Sequence, residues 1–166
     1  GFFIAGNDFI DFSSSNAFLT KYDNFFREEW KETYAEDDVD LSFFATDEII
    51  FVTNNTGLLG NHYLRVKKIS ITGEDINSFF IKEYEGGVPI AKKIISSNDG
   101  GYYLVGTISF PYKTFITKVG PGFSHEWTKL YPNNEPGSIL DIIQLPTDDL
   151  IFIEAVRLFN SDEYEI

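Results

Sequence analysis

The sequence of 166 residues predicts an all-β fold of about three four-stranded antiparallel units and the start of a fourth. Short segments rich in β-branched and aromatic residues follow one another along the whole chain, which is typical of strands. Clusters of Gly, Pro, Asn, Asp and Ser separate these segments, at 13–16, 54–57, 98–101, 120–122 and 132–134. The segments also recur in the same order at intervals of roughly 50 residues, which indicates an internal repeat.

Four sets of segments make up each repeat. The first set starts at Gly1, Glu48, Gly101 and Asp149, and it divides a single domain, 1–166, into units of about 1–47, 48–100, 101–148 and 149–166. The second set ends in Lys each time, over 17–21, 63–67 and 114–118. The third set begins with an aromatic residue and has Tyr four positions later, over 30–34, 80–84 and 127–131. The fourth set, 39–44, 90–95 and 139–144, precedes the next unit.

Two stretches of this pattern are also compatible with helices. Apolar residues lie four apart over 22–34 and again over 76–84, and either stretch alone would predict an amphipathic helix. The third copy follows Gly-Pro-Gly at 120–122 and lacks this spacing. We therefore predict strands in all three copies.

Four strands in roughly 50 residues match the period of a β-propeller blade. One four-stranded sheet cannot bury both of its faces alone, so neighbouring sheets must stack face to face. The aromatic residues that open the third set, Trp30, Phe80 and Trp127, are expected to fill the seams between sheets. The sequence therefore predicts a partial propeller.

The third unit carries the most specific motifs. It reads Asp-Gly-Gly-Tyr at 99–102, continues with a strand ending in Lys118 and a Gly-containing turn, and closes with Trp-Thr-Lys-Leu-Tyr at 127–131. In this order the motifs resemble a family of bacterial β-propeller repeats that is common in secreted and surface proteins of the Bacteroidetes type. The second unit departs from the pattern, with Phe80 in place of Trp and Glu48 in place of Gly. The resemblance covers essentially the whole chain and implies a fold rather than an activity, because its motifs are turn glycines and packing aromatics.

Composition excludes several classes of function. The chain has 13 basic and 26 acidic residues, a formal net charge of −13, and no run rich in Lys or Arg, so a nucleic-acid partner is not expected. Without Cys or Met it has no thiolate nucleophile and no sulfur ligand for a metal. Its apolar stretches, such as 49–52, are far shorter than the ~18 residues of a spanning helix, so we expect no transmembrane segment.

Three aromatic residues outside the packing positions are candidate binding residues. Phe110 and Tyr112 flank Pro111 in a predicted loop, and Tyr63 opens a segment of the second set. Exposed aromatic rings of this kind can stack on sugars or peptides. We take the loop at 110–112 as the first candidate contact surface.

Histidine and acidic residues give weaker signals. His62 and His125 are the only histidines, they are separated by about one unit, and solvated residues near turns account for them. The cluster of Asp37, Asp38 and Asp40 lacks the glycine and terminal glutamate of an EF-hand loop, so we interpret it as a solvated turn. We expect no catalytic residue, no metal ion and no cofactor.

These observations favour a non-catalytic propeller scaffold that binds protein or glycan in a secreted, periplasmic or cell-surface protein. The alternative is a carbohydrate-active hydrolase or lyase whose site, built from paired carboxylates, lies in a central channel completed by other blades. Because the chain starts at Gly1 and both ends fall within the pattern, we expect a segment of a longer chain with further blades. Self-association and an open stack of sheets are the alternatives to that expectation.

Overall fold

A computed structural model describes residues 1–9, 15–34, 38–45, 48–56, 62–82, 84, 87–110, 112–132, 137–157 and 164–165. These residues form strands and turns, with no helix among them, so the all-β prediction is confirmed. In chain order the strands are β1 (Phe2–Phe9), β2 (Ser15–Tyr22), β3 (Glu28–Tyr34), β4 (Asp38–Ala45), β5 (Glu48–Thr56), β6 (His62–Ser70), β7 (Asp75–Ile81), β8 (Val88–Ser96), β9 (Tyr102–Ser109), β10 (Lys113–Val119), β11 (His125–Pro132), β12 (Gly137–Gln144), β13 (Leu150–Arg157) and β14 (Tyr164–Glu165).

The strands form four antiparallel sheets that follow one another along the chain. They are β1–β2–β3, β4–β5–β6–β7, β8–β9–β10–β11 and β12–β13–β14, and each strand pairs with its sequence neighbours. We call them the first to fourth sheets. The second and third sheets each begin with a strand from the fourth set and continue with three strands of the following unit. The hydrogen-bonded sheets are therefore offset by one strand from the repeat units read in the sequence.

The two stretches with helical spacing are strands joined by tight turns. Trp30 and Tyr34 lie in β3, where residues four apart share a face because side chains alternate with a period of two. The Asp23 carboxylate accepts hydrogen bonds from the backbone N–H groups of Phe25 (2.7 Å) and Arg27 (2.9 Å). It therefore closes a hairpin turn rather than capping a helix.

Five hairpins use the same three-residue loop. Each loop lies within a five-residue turn. In this turn the first residue donates its N–H to the carbonyl of the fifth, and the fourth donates its N–H to the carbonyl of the first. The fourth residue has a positive φ, as in a type I turn followed by a G1 bulge. That position is held by Phe26, Gly73, Gly100, Phe123 and Asp148. Only two of the five are glycine, although glycine is the residue that adopts this conformation most readily.

Three apolar clusters join the sheets face to face. The largest lies between the second and third sheets and contains, among others, Val52, Leu64, Leu104 and Phe115. A smaller cluster between the first and second sheets is built from Leu19, Ile49 and Ile69. The cluster between the third and fourth sheets includes Val105, Ile116 and Ile142. The core is therefore a series of seams between successive sheets.

Of the three aromatic residues predicted to lie between sheets, Trp30 and Trp127 do so. Trp30 packs against the first seam and donates its indole N–H to the Ile71 carbonyl (3.1 Å), and Trp127 packs against the third seam. The expectation for Phe80 is wrong, because its side chain is 47% exposed. Trp30 pairs with Lys21 and Trp127 pairs with Lys118, in each case just before a β-bulge. In the second sheet, the residue that pairs with the lysine before the bulge, Lys68, is Asn77, three residues before Phe80.

Candidate functional site

The candidate contact loop presents two aromatic rings next to each other. β9 ends at Ser109 and β10 begins at Lys113, so Phe110 and Tyr112 lie in the short connection between them. Their ring centroids are 4.9 Å apart and the ring planes are inclined by 41°. Phe110 is 70% exposed, and Tyr112 is half-buried. The structure thus brings these two predicted residues together at the surface.

The conformation of this loop is unusual for a phenylalanine. Phe110 has φ = 51°, a left-handed conformation that a side chain with a Cβ adopts at a cost of order 1–2 kcal/mol. Gly87, immediately before β8, lies beneath it, and a Cβ at that position would come within 2.9 Å of the Phe110 carbonyl oxygen. Close backbone packing against Gly87 therefore accompanies the strained conformation that holds the Phe110 ring outward.

Tyr63 belongs to a separate aromatic cluster on the second sheet. It is the second residue of β6, is half-buried, and meets Phe80 edge to face with 5.1 Å between ring centroids. The guanidinium of Arg65 lies 5.5 Å from the centroid of the same Phe80 ring. Tyr63 therefore presents less free surface than Phe110, which is 70% exposed.

The histidines lie at strand starts. His62 opens β6 and His125 opens β11, and both are half-buried. The His125 Nε2 atom is 2.9 Å from the Thr128 hydroxyl, which in turn is 2.9 Å from the Thr117 hydroxyl. Within the described ranges, no group of three or more His, Asp or Glu residues is placed to hold a metal ion. Of the predicted acidic cluster, residue 37 lies outside the described residues, as do the side chains of Asp38 and Asp40.

A polar pocket lies where the third and fourth sheets meet. It has a volume of about 380 Å³ and is lined by Ser97, Asn98, Asp99, Tyr103, Gln144 and Asp148. These residues come from the β8–β9 turn, the β12–β13 turn and the strands beside them. The pocket therefore lies at the end of the sheets opposite to the β9–β10 loop that carries Phe110.

Asn98 joins the two turns that form the pocket. Its backbone N–H donates to the Gln144 side-chain oxygen (2.9 Å). Its side-chain amide donates to the Asp148 carboxylate (2.9 Å) and to the Leu145 carbonyl (3.1 Å). These polar groups are thus already paired with one another, which makes this cluster a clasp between adjacent sheets.

Asp99 is held as an anion at the rim of the same pocket. Hydrogen bonds from the buried Lys118 ammonium, 2.8 Å from its carboxylate, and from the Gly101 N–H lower the pKa of Asp99 to about 2. Lys118 also lies 5.2 Å from the centroid of the Tyr103 ring. A carboxyl with this pKa cannot deliver a proton near neutral pH, so Asp99 is unsuited to general acid catalysis.

The clasp could have been found from the sequence only by aligning the turns. Asn98 and Pro146 are both the first residue of the three-residue loop. The repeat pattern therefore places the 97–101 and 145–149 turns side by side, yet nothing in their composition indicates that Asn98 reaches across to Gln144.

Comparisons with known proteins give no assignment. No family model matches the sequence. No curated protein matches it either. The resemblance to propeller repeats therefore stays a prediction drawn from the residues. The described residues also include no helix of the length and apolarity needed to cross a membrane.

Proposed function

We propose that this chain is a non-catalytic scaffold of the β-propeller type that binds a protein ligand through Phe110 and Tyr112. The observation that carries the proposal is a largely exposed Phe110 ring beside a second aromatic ring, on a residue whose backbone φ is 51°. Strained backbone conformations are enriched at binding and catalytic sites. An exposed aromatic anchor on a rigid sheet is also the kind of residue that contributes most to binding energy in protein interfaces.

The inclination of the rings favours a protein over a glycan. A pyranose stacks on a flat ring face and is fixed by hydrogen-bonding groups around it. The planes of Phe110 and Tyr112 are inclined by 41°, so the pair offers no single flat platform, and the 70% exposed Phe110 ring is available for contact with an aliphatic or aromatic side chain. We infer that a short peptide segment packs an apolar anchor residue on the Phe110 ring.

Electrostatics favour binding over the hydrolase or lyase alternative. A general acid for glycoside cleavage requires a carboxyl whose pKa is raised. Among the described carboxyls, the two with a resolved shift, Asp99 and Asp141, both have a lowered pKa because a lysine ammonium and a backbone N–H donate to them. We place the protein in a secreted, periplasmic or cell-surface setting, on the resemblance of its repeats.

The test uses two ligand libraries. A peptide display library and a glycan array are probed with the full chain, with Phe110→Ala and with Phe25→Ala. The control is matched, since Phe25 is another turn phenylalanine and is 77% exposed. We expect peptides with an apolar anchor whose binding falls at least tenfold in Phe110→Ala, about 1.4 kcal/mol, and is unchanged in Phe25→Ala. Binders that are all glycans, or peptides equally sensitive to both variants, would refute the proposal.

A further inference from the structure

The first and fourth sheets each expose an apolar face. On the first sheet, Phe3, Ala5, Ala17 and Leu19 point to the second sheet, so the alternating residues point outward. We define the leading face as the outward strand residues Phe2, Ile4, Phe18 and Tyr22 together with Phe26 of the adjoining turn. Phe2 stacks on Tyr22 at 5.4 Å and meets Phe26 edge to face at 5.3 Å, which makes a contiguous aromatic surface.

The leading face repeats a face that is buried elsewhere in the same molecule. In the first sheet Phe18 pairs with Gly6, and in the third sheet Phe115 pairs with Gly106 in the same register. In both places the phenylalanine ring covers the glycine, and a Cβ there would lie 3.0 Å from Phe18 or 2.6 Å from Phe115. The first and third sheets therefore share one pattern, which in the third sheet lies on the face that points toward the second.

In the third sheet this pattern is fully covered. Leu104 and Phe115 are buried against the second sheet, and the Phe115 ring lies 5.0 Å from that of Tyr84. Phe123, at the positive-φ position of its turn, is only 5% exposed and meets Phe79 at 5.2 Å. Phe26 holds the same turn position in the first sheet, with φ = 61°, yet it is 78% exposed.

The fourth sheet exposes the complementary face. Ile142, Leu150 and Phe152 point to the third sheet, so their alternating neighbours point outward. We call these neighbours, Ile143, Ile151 and Ile153, the trailing face, and each is about half-exposed. Together with Asp141 and Ile142 they line a shallow hollow of about 180 Å³.

The trailing face also has a buried counterpart. The β8–β9 and β12–β13 turns have the same form, so the second and fourth residues after them correspond. Ile151 and Ile153 thus match Tyr103 and Val105, which are buried against the fourth sheet. At each internal seam, the equivalent of the trailing face on one sheet therefore meets the equivalent of the leading face on the next sheet.

We propose that the leading face of one copy of this chain packs on the trailing face of a second copy, giving a head-to-tail dimer. Each copy offers both faces, so the contact is heterologous, and two identical junctions can close a ring. Two copies supply eight sheets, which is within the 4–8 blades of known propellers. A second copy is expected to cover these faces because, at each internal seam, a sheet of this same repeat covers an equivalent face.

The first experiment measures the molar mass of the full chain by light scattering over a range of concentrations. The chain weighs 18.9 kDa, and we expect twice this mass at a plateau. Phe26→Asp on the leading face and Ile151→Asp on the trailing face should each return the mass to one chain. The control is Phe25→Asp, because its counterparts in the other turns, such as Thr72 and Gly122, remain exposed beside the seams.

The outcomes are distinct. A mixture of Phe26→Asp and Ile151→Asp should regain dimer, because the mixed pair keeps one unaltered junction. A wild type that stays at one chain mass at its highest soluble concentration overturns the proposal, and so does a mass that grows without a plateau. An Ile151→Asp variant that remains dimeric would mean that two leading faces meet each other, which also overturns it.

A second measurement does not depend on how the charged variants fold. The chain has no cysteine, so single cysteines can be placed on each face as Tyr22→Cys and Ile143→Cys. Under oxidation, a mixture of the two should yield a covalent heterodimer, and each variant alone should yield far less. Equal crosslinking within a single variant would refute the head-to-tail arrangement. Neither experiment alters Phe110 or Tyr112, so its result is separate from that of the proposed ligand site.

Discussion

Phe26 and Phe123 offer a test of how burial offsets backbone strain. They occupy the same position of the same turn, with φ of 61° and 55°, but Phe26 is 78% exposed and Phe123 only 5%. We expect Phe123→Gly to lower the free energy of unfolding by about 2–4 kcal/mol. Losing a buried phenylalanine costs about 3–5 kcal/mol, release of left-handed strain returns about 1–2, and the freer unfolded chain of glycine costs about 0.5–1.

Phe26→Gly should leave the free energy of unfolding within about 1 kcal/mol of wild type. Its exposed ring loses mainly its edge contact with Phe2, roughly 0.5–1.5 kcal/mol, and the freer unfolded chain of glycine costs about 0.5–1, while release of strain returns about 1–2. The assay is equilibrium unfolding in urea, followed by tryptophan fluorescence and repeated at tenfold higher protein concentration to separate self-association from folding. Equal destabilisation by the two variants, or a Phe123→Gly variant as stable as wild type, would refute the reasoning.

Three further predictions concern close packing, charge and the clasp. Gly106→Ala should unfold at much lower urea, because its Cβ would lie 2.6 Å from the Phe115 ring and against a backbone carbonyl, whereas Gly122→Ala, with open space around it, should match wild type. Asp99 is ionised in the fold with a pKa of about 2, below the roughly 3.9 of an unfolded aspartate, so its stabilising effect is full above pH 4 and lost toward pH 2. Asp99→Asn should therefore flatten the loss of stability over that range, which acid titration followed by circular dichroism can measure, and an unchanged profile would contradict the assignment. Asn98→Ala, which removes two side-chain hydrogen bonds to the neighbouring turn, should cost about 1–3 kcal/mol in the same urea assay, and no measurable cost would mean that the clasp does not join the sheets.

The strands were predictable because their signal is local. Alternation, β-branched residues and turn clusters mark each strand independently of its partners. The grouping into sheets was not predictable, because a repeating pattern has no intrinsic first element. Whether 90–95 ends one unit or opens the next depends on hydrogen bonds between strands, and β8 pairs with β9.

The wrong prediction for Phe80 and the unpredicted conformation of Phe110 depend on strand register and on a backbone dihedral angle, which the local amino-acid sequence does not specify. Phe80 aligns with Trp30 in the sequence because both precede a tyrosine by four residues, but Asn77 is the residue that pairs with the Lys before the bulge, as Trp30 does in the first sheet. A phenylalanine with positive φ, as at Phe110, is disfavoured locally, so no sequence rule would place one there. The position of Phe110 and Tyr112 between two strands was nevertheless predicted from the sequence.

The sequential pairing of strands has a consequence for how the molecule assembles. Every described strand pairs only with a strand adjacent in sequence, so each sheet forms across short loops at a small entropic cost. A growing polypeptide can thus complete one sheet before the next has been synthesised. Stability in such an array is a sum of sheet and neighbour contributions, so in a single copy the first and fourth sheets, each packed on one described neighbour, should unfold before the seam between the second and third sheets opens. Amide protons of β6 and β9 are then expected to exchange with solvent more slowly than those of β1 or β13.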